Sequence, residues 1–186
     1  MQYIIVGLGG QGILFTSRVL GHIAVSRGEH VMGSEVHGMA QRGGSVISHF
    51  KVGQYDSPLV LAGAADLLVA FDQNEGIRNL HFLRSGGKAI LNIHAPESLE
   101  NLHLKNFIAE RGIEVFGIPG YDILREKMEG RFLFMNVLML GAMCGAGAGN
   151  VSFDEIRETV EKLAPAKFKA DNLKAVELGY AYFKRK

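Results

Sequence analysis

The chain has 186 residues, 47% of them hydrophobic and 21% charged, a balance typical of a globular protein rather than of a disordered or fibrous one. Its 20 lysines and arginines nearly cancel its 19 aspartates and glutamates, so the net charge of +1 predicts no general attraction to nucleic acid or to an anionic membrane. Cys144 is the only cysteine, which excludes an internal disulfide and any iron–sulfur cluster or cysteine-rich zinc site held by this chain alone.

Short apolar runs alternate with helical patterns along the first two thirds of the chain. Strands are predicted over residues 3–7, 31–35, 45–52, 65–72, 88–93 and 113–118, and helices over residues 11–27, 74–84 and 96–110. After residue 121 no further strand is predicted. This alternation predicts one α/β domain over residues 1–186. We expect a three-layer, Rossmann-like fold with a mostly parallel sheet, helices on both faces and a helical C-terminal part.

A glycine loop with the sequence GLGGQG follows the first predicted strand and opens the first predicted helix. Small residues and free amides at such a point favour an anionic group such as a phosphate. Glu35 follows about 20 residues later, where dinucleotide-binding proteins hold a ribose, so NAD binding is one interpretation. The alternative is that the glycines close a tight strand-to-helix contact or present the loop to a partner protein. The candidate site residues of the loop are Gly7, Gly9, Gly10, Gln11 and Gly12.

A polar segment over residues 35–45 follows the second predicted strand. In a doubly wound sheet it would emerge at the carboxyl edge of a strand next to the first, beside the glycine loop. Arg42 could bind a phosphate or a carboxylate through two parallel hydrogen bonds. The alternative is a solvated hairpin, and His37 lacks a partner at metal-ligand spacing. The candidate site residues of the segment are Glu35, His37, Gln41, Arg42, Gly43, Gly44 and Ser45.

The C-terminal third contains a long apolar run over residues 132–148, in which Asn136 is the only polar side chain apart from the cysteine. Its length is at the lower limit for a membrane span, and its glycines favour a buried helix or an interface helix instead. A capping box is predicted at Ser152 and Glu155. The N-terminal residues lack the pattern of a targeting segment, so we expect a cytoplasmic protein.

Two motifs together carry a resemblance to a known family: GLGGQG at residues 7–12 and SEVHGMAQRGGSVIS at residues 34–48. The chain resembles the γ-type subunits of the 2-oxoacid:ferredoxin oxidoreductases, of the pyruvate/ketoisovalerate oxidoreductase domain type. HGMAQRGG is most similar to the small subunits of indolepyruvate-type enzymes. Further matches lie at residues 57–58, 63–66, 86–87 and 172–179, so the resemblance covers essentially the whole chain.

The resemblance implies an accessory subunit of a complex that decarboxylates a 2-oxoacid and transfers the acyl group to CoA. Thiamine diphosphate, magnesium and iron–sulfur clusters are then expected on partner subunits, with ferredoxin as the electron acceptor of the complex. No cofactor is assigned to this chain. Its loop and polar segment are expected to support or contact the shared site on the CoA side, and none of their residues is proposed as an acid, base or nucleophile.

Two alternatives remain open from the residues: an autonomous NAD-dependent oxidoreductase and a nucleotide-binding module without chemistry. The first lacks a recognisable catalytic group. Tyr121 and Arg125 have the spacing of a Tyr-x-x-x-Lys pair, but a guanidinium does not adjust a phenol as an ammonium does.

Overall fold

A computed structural model describes residues 1–38 and 43–184. Its strands are β1 Gln2–Leu8, β2 Val31–His37, β3 Ser45–Val52, β4 Ala65–Ala70, β5 Leu83–Asn92 and β6 Glu114–Ile118. Its helices are α1 Ile13–Ser26, α2 Gln73–Asn79, α3 Leu102–Glu110, α4 Gly120–Lys127, α5 Met135–Gly145, α6 Phe153–Leu163 and α7 Lys169–Lys184. Short 3₁₀ helices lie at Leu80–Phe82, Pro96–Glu100, Phe132–Phe134 and Ala166–Phe168.

The strands form one sheet in the order β2-β3-β1-β4-β5-β6. β4 is parallel to β1 and to β5, and β6 is parallel to β5, whereas β3 is antiparallel to both of its neighbours. The expected mostly parallel sheet is therefore confirmed, with β3 as the exception. The second strand was expected next to the first, and this is wrong. β2 and β3 form a hairpin, and β3 lies between β2 and β1.

Apolar side chains cover both faces of the sheet, which confirms the three-layer prediction. Odd-numbered residues of β1, such as Ile5, face α1 and α5 in the larger core, and Ile4 and Val6 face the smaller core. α2 and α3 cover the smaller core, where a Cβ on Gly76 of α2 would lie 2.7 Å from the Cβ of Ala70. The central strand β4 is buried on both faces, as its apolar run predicts.

Two predicted helices have different bounds in the structure. The helix predicted over residues 74–84 ends at Asn79, and the chain passes through a 3₁₀ turn into β5, which already begins at Leu83. The helix predicted over residues 96–110 is divided at Asn101, whose side chain accepts hydrogen bonds from the backbone amides of His103 and Leu104 and so caps α3. Local capping thus overrides a continuous helical pattern.

The apolar run over residues 132–148 contains α5, a helix buried within the chain and packed against α7, while Phe132 and Leu133 before it are exposed. A Cβ on Gly179 of α7 would overlap the carbonyl oxygen of Leu138, and one on Gly141 of α5 would overlap that of Val176. The glycines therefore allow the two backbones to lie in direct contact. Within residues 1–38 and 43–184, no helix is both long and apolar enough to span a membrane. The predicted capping box of Ser152 and Glu155 is present at the start of α6.

The stability of the fold is expected to depend on pH through His49 of β3. This imidazole is buried, and its Nδ1 accepts a hydrogen bond of 3.1 Å from the backbone amide of Val60. Burial, with a smaller contribution from the charge of Lys51, lowers the pKa of His49. Below pH of about 6.5 the unfolded chain then binds more protons than the folded chain, so the free energy of unfolding falls as the pH falls.

Urea unfolding of the wild type and of His49→Gln at pH 7.5 and pH 5.5 measures this effect. The wild type is expected to lose more stability than the variant between the two pH values, because glutamine carries no titrating group. His103→Gln, which changes an exposed histidine, serves as the control and should keep the wild-type loss. Equal losses in the wild type and His49→Gln would contradict the assignment.

Candidate functional site

Four parallel strands, β1, β4, β5 and β6, end at the same edge of the sheet, which we call the carboxyl edge. α1 leaves β1 toward the larger core, and α2 leaves β4 toward the smaller core. The connections after two neighbouring strands, β1 and β4, thus lead to opposite faces of the sheet. Ligands of open α/β sheets bind in the crevice that such a separation creates.

The glycine loop lies at this crevice and leads into α1. Gly12 is the N-cap of α1 and has φ of 82°, a left-handed conformation that favours glycine. No side chain among the described residues caps the helix, and the first turn of α1 contains no acidic residue. Gly10 is exposed. The positive end of the α1 dipole is therefore free of a carboxylate from its own first turn, as the prediction of an anion-favouring loop requires.

Two of the loop glycines are needed for close packing. A Cβ on Gly7 would lie 2.5 Å from Oε1 of Gln11, and one on Gly12 would lie 2.5 Å from Nδ2 of Asn136 at the start of α5. The interpretation that the glycines close a tight contact therefore fits Gly7 and Gly12. Gly10 remains as the exposed loop position that a ligand or a partner could approach, whereas Gly9 is half-buried.

Gln11 holds the loop to the rest of the molecule instead of projecting from it. Its Oε1 accepts a hydrogen bond of 2.7 Å from the amide of Leu8, and its Nε2 donates one of 3.0 Å to the hydroxyl of Tyr121. Burial, together with the carboxylate of Asp72, raises the pKa of Tyr121. The phenol is therefore protonated at neutral pH, and its oxygen accepts the hydrogen bond from Gln11.

Polar side chains lie at the ends of β4 and β5 at the same edge. Asp72 caps α2 by accepting hydrogen bonds from the amides of Asn74 and Glu75. Asn92 donates to the carbonyl of Phe71 at 3.0 Å and accepts from the amide of Gly120 at 3.0 Å. These contacts join the ends of β4, β5 and β6 at the crevice.

The polar segment contacts the glycine loop through the backbone, which confirms that the two lie side by side. The amide of Gly9 donates to the carbonyl of Gly44 at 2.8 Å, and the amide of Gly43 donates to that of Gly9 at 3.4 Å. Ser45 donates a hydrogen bond of 2.6 Å to Glu75, a buried carboxylate that also pairs with Arg78. Residues 39–42, which include the candidates Gln41 and Arg42, lie outside the described residues.

Glu35 and His37 do not lie beside the loop. Both are exposed on β2, with His37 Nε2 3.7 Å from Glu35 Oε2. Glu35 pairs with Ser48 of β3, which pairs with Ile5 of β1, so Glu35 is two strand spacings, about 10 Å, from the glycine-bearing strand. The NAD interpretation requires Glu35 at the end of a strand adjacent to β1, and Glu35 is not there. The acidic residue that does follow a neighbour of β1 is Asp72, whose side chain accepts the hydrogen bonds that cap α2.

NAD is therefore expected to bind weakly or not at all. Titration calorimetry of the purified chain with NAD should give no saturable heat in the micromolar range. Glu35→Ala should leave the titration unchanged, because this carboxylate does not reach the loop. A micromolar site that is lost in Glu35→Ala would contradict both the geometry and the expectation.

The described residues hold no group of three or more metal-ligating side chains. Two cavities, of about 350 Å³ and about 80 Å³, lie at the opposite, amino edge of the sheet and share Met1 and Asn150 as lining residues. Arg125 is bonded to Asp122 on the exposed side of α4, so it does not pair with Tyr121 in a catalytic arrangement. The carboxyl edge thus carries the glycine loop and polar side chains that are hydrogen-bonded within the chain.

Sequence reasoning missed several residues of this edge. Their signal is a polar side chain where a run of buried apolar residues ends, and Asp72 and Asn92 both show it. Asn136 carries another signal, because it is a lone amide in an apolar run. The residues that the structure adds to the predicted site are Asp72, Glu75, Asn92, Tyr121 and Asn136.

The family model for pyruvate ferredoxin/flavodoxin oxidoreductase matches residues 2–182 of the chain. Indolepyruvate oxidoreductase subunit IorB of Archaeoglobus fulgidus is 32% identical over 188 residues, covering 97% of this chain and 94% of that protein. Ketoisovalerate oxidoreductase subunit VorA of Methanothermobacter marburgensis is 30% identical, but the match covers 94% of this chain and only 35% of VorA.

The fold is shared with a solved structure. The gamma subunit of a keto/oxoacid ferredoxin oxidoreductase from Geobacter sulfurreducens superposes with a TM-score of 0.72 at 20% identity, covering 100% of this chain and 99% of that one. The expected Rossmann-like arrangement therefore has a counterpart of the same extent.

Proposed function

This chain belongs to the pyruvate ferredoxin/flavodoxin oxidoreductase family, and we propose that it is the accessory, γ-type subunit of a heteromeric 2-oxoacid:ferredoxin oxidoreductase. The observation that carries the proposal is the match to IorB over 97% of this chain and 94% of that subunit. A chain that corresponds to a whole subunit of such an enzyme is itself best understood as a subunit. We further propose that the complex works in the cytoplasm.

The proposed complex oxidatively decarboxylates a 2-oxoacid: carbon dioxide leaves, the acyl group passes to the thiol of CoA, and two electrons pass to ferredoxin. Thiamine diphosphate with magnesium and the iron–sulfur clusters supply the decarboxylation and the electron transfer. Cys144 is the only thiol of the chain, which is too few for an iron–sulfur cluster, and residues 1–38 and 43–184 contain no metal-ligating cluster. We therefore assign these cofactors to partner subunits.

The carboxyl edge fits a phosphate-bearing ligand such as CoA in part. Gly10 is the exposed position of the loop, and no side chain of residues 1–38 and 43–184 caps the positive end of α1. Gln11 holds the loop through its bonds to the amide of Leu8 and the hydroxyl of Tyr121. Ser45, bonded to Glu75, holds the end of the polar segment. In this proposal the chain forms the CoA side of the shared site and supplies no acid, base or nucleophile.

Gly43 and Gly44 support the same proposal through their bonds to Gly9, since they fix the polar segment against the loop. Gln41 and Arg42 are proposed from the sequence alone as contacts to an anionic group of CoA or of the partner subunit. Glu35 and His37 are proposed as contacts to the partner subunit, because they are exposed on the edge strand and distant from the loop.

Affinity purification of this chain from its native cells tests the proposal. The expected result is a stoichiometric large partner that contains thiamine diphosphate and cysteine-rich cluster motifs. The same purification at 0.5 M salt checks that the partner is not held by weak surface charge alone. The proposal would be contradicted if the chain is recovered by itself under both conditions from cells whose extract has 2-oxoacid:ferredoxin oxidoreductase activity.

A further inference from the structure

The larger of the two cavities at the amino edge of the sheet is lined mostly by polar groups, charged groups and glycines, and we call it the amino-edge cavity. Its volume of about 350 Å³ is within the range of small-molecule sites. It lies between the starts of β4 and β5 and the loop that joins α5 to α6. No described residue of the glycine loop or of the polar segment lines it, so it is separate from the carboxyl edge.

A β-bulge opens the sheet at the amino-edge cavity. The register between β4 and β5 shifts there, so that Asp66 alone faces residues 84–87. Gly86 in the bulge has φ of 70°, a left-handed conformation that favours glycine. A Cβ on Gly87 would lie 2.9 Å from the carbonyl oxygen of Arg84, so the tight bend needs glycine there as well. Bulges redirect side chains, and this one places Arg84 beside Asp66 at the cavity.

Asp66 is the only carboxylate among the described residues that line the cavity, and both of its oxygens are occupied. Its Oδ1 accepts a hydrogen bond of 2.8 Å from Nε of Arg84, and its Oδ2 accepts one of 2.8 Å from the amide of Gln2. The lining also contains Lys88. Two cationic side chains therefore face one carboxylate, and the side chains of the lining have a net positive charge.

Both cations keep hydrogen-bonding capacity that the described residues do not use. Nη1 of Arg84 donates to the carbonyl of Ser85 at 3.0 Å, but Nη2 of Arg84 has no acceptor within residues 1–38 and 43–184. Nζ of Lys88 lies 3.4 Å from the carbonyl of Gly147, which is a long hydrogen bond. Glu114 is opposite Lys88 in the neighbouring strand, yet Lys88 forms no ion pair with Glu114 or with another described carboxylate. The two side chains can therefore donate to an acidic ligand in the cavity.

We infer that the amino-edge cavity binds a small phosphate monoester, with Nη2 of Arg84 and Nζ of Lys88 as donors to its phosphate group. This inference goes beyond the proposed function and does not depend on it. A phosphate monoester carries a charge of about −1.5 to −2 at pH 7, which matches two cations better than a single carboxylate does. Hydrogen bonds to an ionised partner are roughly twice as strong as neutral ones. The volume of the cavity exceeds that of a phosphate ion, so room remains for a small organic group.

Titration calorimetry of the purified chain at low ionic strength, with glycerol 3-phosphate and with inorganic phosphate, measures this binding. Both probes are expected to bind saturably, the ester more tightly because it also fills the remaining volume. Lys88→Gln should bind the ester at least about 10-fold more weakly, because the variant loses a charge-assisted hydrogen bond. Lys162→Gln is the matched control: Lys162 is exposed in the last turn of α6 and does not line the cavity. This variant should bind within about 2-fold of the wild type.

The glycine loop at the carboxyl edge is also expected to favour phosphate, so the site is located by a second measurement. Amide NMR spectra of the wild type during the titration should show larger shifts at Gly86 and Gly147, which line the cavity, than at Gly10. This measurement keeps the inference testable if Lys88→Gln fails to fold.

Three results would each overturn the inference: shifts confined to the glycine loop, wild-type affinity in Lys88→Gln, or no saturable binding of either probe. An ester that binds no more tightly than inorganic phosphate would overturn the assignment to a monoester. The proposed function would stand in every case, because the affinity purification tests it separately.

Discussion

Gly179→Ala is expected to lower the free energy of unfolding by about 3 kcal/mol, at the upper end of the cost of overpacking a core. The new methyl group would overlap the carbonyl oxygen of Leu138, which is backbone and cannot move aside as a flexible side chain can. α5 and α7 would have to separate, and α5 is buried along almost its whole length. Urea unfolding followed by circular dichroism measures the change, which corresponds to roughly 6–12 °C in melting temperature for a chain of this size.

Gly21→Ala is the matched control for this prediction. Gly21 also lies inside a helix, α1, but a Cβ there would meet the ring of Phe50 at 3.6 Å, an ordinary contact distance. Since alanine is favoured over glycine in a helix by about 0.8–1.0 kcal/mol, this variant should be neutral or stabilised. If both variants lose stability equally, close contact between α5 and α7 is not the reason.

The purified chain alone is expected to have no 2-oxoacid oxidoreductase activity, and this is the largest functional effect that we predict. Cys144 cannot hold an iron–sulfur cluster by itself, and burial raises the pKa of its thiol, so it is also a poor nucleophile at neutral pH. The measurement is the reduction of a viologen dye in the presence of indolepyruvate and CoA. The rate should equal that of a blank without protein.

Addition of the purified partner subunit to the same assay should restore CoA-dependent reduction, which shows that the chain was folded and competent. Tyr121→Phe, in the reconstituted complex, serves as a variant that removes only the acceptor of the Gln11 hydrogen bond. The variant should still assemble, and the reconstituted complex should have a raised KM for CoA if the Gln11–Tyr121 bond positions the loop as proposed. Dye reduction by the isolated chain at a rate near that of the complex would contradict the proposal that the chain is an accessory subunit.

The order of the strands shows why the site was only partly predictable. Each strand was placed along the chain from its own pattern, and a loop after β1 that contacts the polar segment was expected and found. The same pattern could not show that β2 and β3 form a hairpin, because pairing depends on contacts between distant residues and not on local periodicity. That hairpin moves Glu35 away from the loop and removes the basis for the NAD interpretation.

The roles of single side chains depend on residues that are distant in the sequence. Gln11 lay within a recognised motif, yet its partner Tyr121 is 110 residues away, and only folding brings the two together. The fold class, the glycine loop and the family resemblance were determined by the sequence itself, since each rests on short-range periodicity or on contiguous motifs. The position of Glu35 and the function of Gln11 were decided by the tertiary structure, because they depend on which strands and helices become neighbours in space.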